Sequence, residues 1–160
     1  SLLLLSRIEN GQYTETEDVS VDEVLDELLP DLMDIYEGKK IHLERAKGEE
    51  PFVIRCNHAL AQIMVSNLVK NSLLHNREGG ELHIVTTASS LIIKNSGEHP
   101  LDGEKLFRRF YRGIDGKKDS TGLGLAIARS IALSASLSLT YKWQEGMHLF
   151  LLVKEPQKKS

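Results

Sequence analysis

The sequence predicts an α/β fold in which helices cover one face of a mixed or antiparallel sheet. Segments with the alternation of β-strands come in adjacent pairs, and segments with helical periodicity lie between the pairs. The chain has 160 residues, enough for one ordinary domain with a real core. Residues 96–121 are rich in glycine, proline and charge, and a long loop of this kind in a compact chain is typical of a functional or a disordered segment.

The charge balance argues against nucleic acid as a partner. With 20 basic and 23 acidic residues the net charge is −3, whereas binding to a phosphate backbone needs an excess of positive charge. The single cysteine, Cys56, excludes an internal disulfide framework and fits a reducing compartment. The opening leucine run is far shorter than the roughly 20 apolar residues that cross a bilayer, and it lacks the features of a signal peptide. We therefore expect a cytoplasmic chain that makes no membrane contact of its own.

Two helical patterns occupy the start of the chain. The segment SLLLLSRIENGQ has apolar residues at helical spacing, which predicts the end of an amphipathic helix whose beginning lies upstream. The segment YTETEDVS predicts a short edge strand, after which Ser20 is expected to cap a second helix that ends at Gly38. Pro30 predicts a kink or a break in that helix.

The remaining segments alternate between strand pairs and helices. KIHLERA and PFVIRC are expected to be two strands around the turn KGEE, and Asn57 is expected to cap the next helix. ELHIVTTASSLIIKN predicts a strand pair, Leu123 begins the last helix, and SLSLTYKWQEGMHLFLLV predicts a hairpin around QEG. Three histidines in these strands, His42, His83 and His148, lack metal-ligand spacing and are expected at the surface or at an edge.

Two glycines, Gly122 and Gly124, precede the last helix, and glycine directly before a helix often marks a phosphate site. A P-loop requires a lysine after its last glycine, whereas Gly124 is followed by Leu125. A dinucleotide-binding turn requires a preceding strand and a final glycine or alanine, and this segment has neither. The alternative is a helix entered through two flexible residues, so the glycines alone leave both interpretations open.

Two amides interrupt the apolar surface of the third predicted helix. Asn67 and Asn71 lie one turn apart on a stripe that also contains Met64. A buried amide without partners costs about 1–3 kcal/mol, so these side chains should have something to bond. They could make hydrogen bonds inside the core, or they could offer the hard oxygen ligands that Mg²⁺ prefers when it bridges nucleotide phosphates.

A further polar pair ends the apolar strand IIKNSG. This strand delivers Asn95 and then Gly97 to one end of the sheet, where backbone without a side chain can approach a flat ligand closely. The same two residue types are also typical of an ordinary turn.

In this order the segments resemble four motifs of sensor histidine kinases. NLVKNSLLHN is similar to their asparagine box, NSG to the first glycine box, LFRRFYRG to the phenylalanine box and STGLGLAIARSIA to the second glycine box. The similarity covers residues 20–153. It implies an α/β (α+β) two-layer sandwich, a mixed sheet of about five strands with three helices on one face and a long ATP lid.

The resemblance also implies the domain organisation and the partners. Residues 1–12 would be the end of the dimerisation and phosphotransfer helix with its linker, residues 13–154 the ATP-binding catalytic domain, and residues 155–160 a tail. The phosphoacceptor histidine would lie on the upstream helical domain, outside this sequence. A response regulator receiver domain would later take the phosphoryl group onto an aspartate, and the parent protein could be anchored in the inner membrane.

ATP and Mg²⁺ are the ligands that the resemblance implies. Asn71 would coordinate the metal, Asn67 would help to position the phosphates, and Arg112 would reach the terminal phosphate from the lid. Phe107 and Phe110 would anchor the lid on the sheet. The residues implied to contact the nucleotide are Asn67, Asn71, His75, Asn95, Gly97, Arg112, Thr121, Gly122, Leu123 and Gly124.

The position of Asn67 separates two mechanisms within the wider ATPase superfamily. The hydrolysing members keep a glutamate there to activate water, and a neutral amide cannot act as a general base. The resemblance therefore favours transfer of the γ-phosphoryl group to a histidine over hydrolysis.

Three departures from the family pattern keep a second hypothesis open. The first glycine box has Asn95 in place of aspartate, which weakens its hydrogen bond to the adenine amino group because charge assistance is lost. His99 replaces the second glycine of that box, and Leu74 replaces a lysine that contacts phosphate; Arg112, Lys117 or Lys118 could supply that contact. The alternative is a degenerate, kinase-like regulatory module that binds partners and has weak or no ATP binding.

Overall fold

The computed structural model describes residues 1–111 and 122–156. In these ranges the α-helices are α1 (Leu2–Glu9), α2 (Val21–Ile35), α3 (His58–Leu74) and α4 (Gly124–Ser134), with a 3-10 helix at Glu37–Lys39. The strands are β1 (Glu17–Ser20), β2 (His42–Lys47), β3 (Val53–Cys56), β4 (Glu81–Thr87), β5 (Ser90–Ser96), β6 (Leu137–Gln144) and β7 (Met147–Lys154).

The main sheet is mixed and has five strands in the order β2-β4-β5-β7-β6. Strand β2 pairs with β4 in parallel, and the other neighbours are antiparallel. The two predicted hairpins, β4-β5 and β6-β7, are confirmed. In the second hairpin, Glu145 and Gly146 both adopt positive φ, at 51° and 74°, as a tight two-residue hairpin turn requires.

The expected pairing of β2 with β3 around KGEE is wrong. β3 instead pairs with β1 in a separate antiparallel sheet of two strands. The first turn of α2 holds the segment before β3, because Phe52 donates to the Asp22 carboxylate (2.8 Å) and accepts from the backbone N–H of Val21 (2.8 Å). These two bonds direct the strand toward β1, which immediately precedes α2.

Helices α2, α3 and α4 form one layer over the main sheet, with α3 in the middle. Met64 and Leu68 of α3 are fully buried, as are Ile84 of β4 and Ile93 of β5. The predicted two-layer sandwich with a mixed sheet and three helices on one face is thus confirmed. The fourth helix, α1, packs on α4.

Pro30 does not break α2, because the helix continues to Ile35. Proline removes the hydrogen bond to the carbonyl four residues earlier, that of Asp26. Both residues lie on the exposed side of the helix, where water can satisfy that carbonyl. At the same place Arg45 and Lys47 bind the Asp26 carboxylate, and the hydrogen bond from Arg45 lowers the pKa of Asp26. Among the described residues, no helix is both long and apolar enough to cross a bilayer.

Candidate nucleotide site

Helix α3 presents the two predicted amides. The side chain of Asn57 accepts from the backbone N–H of Leu60 (3.1 Å) and caps the helix, as the sequence predicts. Asn67 and Asn71 follow at the third and fourth turns, and both are half-buried. His75 is also half-buried and directly follows the last residue of α3. One edge of the largely buried helix α3 therefore carries these three polar side chains, where they can contact a neighbouring element.

The Asn67 side chain contacts the start of α4. Its Nδ2 atom donates to the carbonyl of Gly124 at 3.2 Å. Gly124 is the first residue of α4, and Leu123 before it is buried. The backbone N–H groups of a helix's first turn have no partners within the helix, and they carry the positive end of its dipole. The structure thus brings an amide of α3 directly beside a helix terminus suited to an anion.

Gly122 and Gly124 sit in different surroundings. Gly122 has φ +72°, and its carbonyl accepts from the backbone N–H of Phe110 at 2.7 Å. A Cβ atom on Gly122 would lie 2.5 Å from the Cα of Phe110, so only glycine fits there. A Cβ atom on Gly124 would meet nothing closer than the Asn67 side chain at 4.0 Å.

Asn95 holds a buried acceptor without a donor. The residue is 1% exposed, and its Nδ2 atom donates to the backbone carbonyl of Ser96 at 3.1 Å. Its Oδ1 atom is buried and has no hydrogen-bond partner within the described ranges. An unpaired buried acceptor costs about 1–3 kcal/mol, which a ligand that donates a hydrogen bond there would recover. The amino group of a nucleotide base is such a donor.

The prediction that His148 lies at the surface or at an edge is wrong. It is 6% exposed, and its ring packs against Gly97, where a Cβ atom would lie 2.2 Å from Nε2. Its Nδ1 atom is 2.8 Å from the hydroxyl of Tyr141, whose pKa is raised by burial. His42 is exposed and His83 is half-buried on its strand. The period of β7 could have identified His148, since it alternates with Phe150 and Leu152 on the core face.

Residues 97–111, which follow β5, are fixed to the sheet at several points. Leu106 is buried, and the ring of Phe107 meets that of Phe150 edge-on at 6.4 Å. The guanidinium of Arg129 lies 5.3 Å from the Phe107 ring centre. The predicted anchoring by Phe107 is confirmed, whereas the prediction for Phe110 is wrong because Phe110 is 59% exposed. Phe110 instead has a positive φ of 65°, and its backbone lies against Gly122.

The predicted site residues fall into two groups. Asn67 and Gly124 touch, with Gly122, Leu123 and Asn71 next to them in the chain or on the helix. Asn95 and Gly97 stand at the end of β5. Arg112 and Thr121 lie outside the described residues, as do Lys117 and Lys118.

Comparison with known proteins decides the family. The model of the histidine kinase-, DNA gyrase B- and HSP90-like ATPase family matches residues 56–157. The chain belongs to this family. Within this ATPase family, the sensor histidine kinase HprS of Escherichia coli is 28% identical over 157 residues, which cover 94% of this chain and 34% of HprS. The sensor histidine kinase RppB of Synechocystis is 28% identical over 167 residues, which cover 97% of this chain and 36% of RppB.

A solved structure supports the same assignment at the level of the fold. The catalytic domain of histidine kinase ThkA superposes with a TM-score of 0.74 at 21% identity, covering 91% of this chain and 100% of that domain. The chain spans about a third of the length of HprS and RppB. It corresponds to the ATP-binding catalytic domain of these kinases, so the resemblance to sensor histidine kinases is confirmed.

Proposed function

We propose that this domain binds ATP with Mg²⁺ and transfers the γ-phosphoryl group to a histidine on a helical domain upstream. The proposal depends on the contact between Asn67 of α3 and Gly124 of α4, which joins a polar helix edge to a helix N-terminus. Phosphate groups bind at such termini, and amide oxygens are ligands that Mg²⁺ accepts.

Each group has a role in this proposal. Asn71 holds the metal, while Asn67 helps to position the phosphates and fixes the start of α4. The backbone of Gly122, Leu123 and Gly124 faces the phosphates. Asn95 accepts from the adenine amino group, for which its unpaired Oδ1 atom is suited. The remaining residues proposed to contact the nucleotide are His75, Gly97, Arg112 and Thr121.

The reaction needs positioning and charge neutralisation more than acid–base chemistry. ATP would supply the phosphoryl group, and Mg²⁺ held by Asn71 would neutralise part of the phosphate charge. The bond from phosphorus to the ADP oxygen breaks as a bond to the imidazole nitrogen forms. The Asn67 amide cannot take a proton from water, so we expect transfer to the imidazole and no steady hydrolysis by the domain alone.

The wider context is part of the same proposal. Residues 1–12 would be the end of the dimerisation and phosphotransfer helix with its linker, residues 13–154 the ATP-binding catalytic domain, and residues 155–160 a tail. A response regulator receiver domain accepts the phosphoryl group in turn. This domain would then work on the cytoplasmic side of a parent protein that is anchored in the inner membrane.

Calorimetry with ATP and Mg²⁺ tests the proposal. We expect the wild-type domain to bind, and Asn71→Ala to lose at least about tenfold in affinity because a metal ligand is removed. Lys70→Ala is the matched control, since Lys70 is exposed on the same helix and should bind like wild type. The wild-type domain should also phosphorylate a supplied histidine-bearing helical domain. Absence of binding in both wild type and Asn71→Ala would instead support the degenerate regulatory module.

A further inference from the structure

His148 is next to both Asn95 and Gly97, the two residues proposed to contact the base. In the register of β5 and β7 it stands directly opposite Asn95. Its ring also fills the space over Gly97, where a Cβ atom would lie 2.2 Å from Nε2 and 2.6 Å from Cδ2. The ring therefore contacts the backbone on which the base would rest, and it lies on the same core-facing side as Asn95.

A hydrogen-bonded chain continues from His148 to the segment that follows. The Tyr141 hydroxyl accepts from the backbone N–H of Leu101 at 2.9 Å and lies 2.8 Å from the Nδ1 atom of His148. A neutral hydroxyl that accepts from Leu101 has its own proton left to donate to Nδ1. Trp143 packs edge-on against the other side of the histidine ring, with centroids 4.9 Å apart. We term residues 95–101 the base segment. His148 thus contacts this segment at Gly97 and, through Tyr141, at Leu101.

We propose that His148 is a positioning residue for the nucleotide, acting through Tyr141 to hold the base segment where Asn95 and Gly97 can receive the base. This inference rests on the proposed function and adds a residue that the four family motifs do not contain. The unpaired Oδ1 atom of Asn95 explains why position matters here, because a hydrogen bond weakens steeply when its distance or angle departs from the optimum.

Four single variants separate the polar link from the volume of the ring. His148→Leu replaces the ring with an apolar side chain of similar size and removes the hydrogen-bond partner of the Tyr141 hydroxyl. His148→Asn can place an amide oxygen near the position of Nδ1, whereas His148→Gln extends its amide toward the position of Nε2. Tyr141→Phe removes the link from the other side. Lys142→Ala serves as the control, since Lys142 is exposed and follows Tyr141 on β6.

The measurement is the dissociation constant for ATP with Mg²⁺ and for ADP, by calorimetry on the whole chain. We expect His148→Leu and Tyr141→Phe each to weaken ATP and ADP by a similar factor, about 5- to 20-fold, because the loss lies at the base and not at the phosphates. The double variant should bind no more weakly than the worse single variant. His148→Asn should stay within about threefold of wild type while His148→Gln does not.

Two results would overturn the inference. If the wild-type chain binds and both His148→Leu and Tyr141→Phe bind equally well, the inference fails while the proposed function stands. If the wild-type chain does not bind ATP, the proposed function fails and this inference fails with it. Should His148→Leu not fold, Tyr141→Phe and the comparison of His148→Asn with His148→Gln decide the matter.

Discussion

At the scale of single residues, the fold places different demands on the two glycines at the start of α4. Gly122 is imposed by the fold, since its φ of +72° and the Phe110 backbone against it exclude any side chain. Gly124 has a helical backbone, and a Cβ atom there would make only an ordinary contact with the Asn67 side chain, at 4.0 Å. The fold alone would therefore tolerate alanine at 124, and a small residue there is of use to whatever approaches the start of α4.

Gly122→Ala and Gly124→Ala form a matched pair that tests this distinction. Gly122→Ala should lower the free energy of unfolding by about 1–3 kcal/mol because the backbone is strained whatever space is made. Gly124→Ala should leave that free energy unchanged or raise it slightly, since alanine favours the helix, and should weaken ATP binding because its methyl group would stand beside Asn67 at the proposed phosphate site. Urea denaturation and calorimetry measure the two quantities. Equal losses of stability in both variants would contradict the conclusion that the fold requires glycine at 122 but not at 124.

Residue-level features with a local cause could be predicted from the sequence. Ser20 and Asn57 cap their helices as expected, because each needs only the backbone N–H three residues ahead. The contact of Asn67 with Gly124 joins positions 57 residues apart, and only the ordered set of motifs suggested it. Neither the local signals nor the motifs predicted the position of His148, because its partners Tyr141 and Gly97 come together only when the sheet has formed.

At the scale of elements, the position of α3 depends on how both of its ends are held. Asn57 closes its N-terminus, and Lys39 closes its C-terminus from the 3-10 helix before β2. The Lys39 ammonium group donates to the carbonyls of Leu73 (2.9 Å) and Asn76 (3.1 Å), and also to that of Leu74. Leu73 and Leu74 belong to the last turn of α3, and a cation beside that end complements the helix dipole.

Lys39→Met should therefore destabilise the domain more than Lys40→Met, the same change at the next residue. We expect a loss of about 1–3 kcal/mol in the free energy of unfolding, because the part-buried hydrogen bonds from the ammonium group to carbonyls at the end of α3 are lost. Lys40→Met removes the same charge from an exposed residue and should cost less than about 0.5 kcal/mol. Urea denaturation of both variants gives the comparison. If the two losses were equal, net charge and not the helix cap would be the cause.

Among the elements, those with short-range pairing were predicted and those with long-range pairing were not. The hairpins β4-β5 and β6-β7 could be predicted because strand pattern and turn lie together in the chain. The partner of β3 could not, since β1 lies far upstream and the start of α2 directs the pairing through Asp22. Continuity of α2 through Pro30 depends on which side of the helix meets water, which is a tertiary property.

At the scale of the whole molecule, α1 is joined to the rest in two ways. Leu5 and Ile8 are 1% and 5% exposed and belong to the common core, where α1 packs on α4. In addition, the Arg109 guanidinium donates to both carboxylate oxygens of Glu9 at 2.6 Å. This ion pair links α1 to the segment between β5 and α4, and both side chains are close to half-exposed. Helix α1 thus contacts α4 directly and, through Glu9 and Arg109, the residues that follow β5.

The two attachments should differ strongly in strength. Leu5→Ala removes a fully buried side chain and should lower the free energy of unfolding by about 2–4 kcal/mol. Arg109→Gln breaks an ion pair that water and salt screen, and it should cost less than about 1 kcal/mol. A double-mutant cycle of Arg109→Gln with Glu9→Gln, measured by urea denaturation at low and high salt, isolates the pair and should give a coupling that falls as salt rises. If Leu5→Ala left unfolding unchanged while the ion pair carried a large coupling, α1 would be attached to the catalytic domain by charge, and its packing on α4 would contribute nothing to the stability of the nucleotide site.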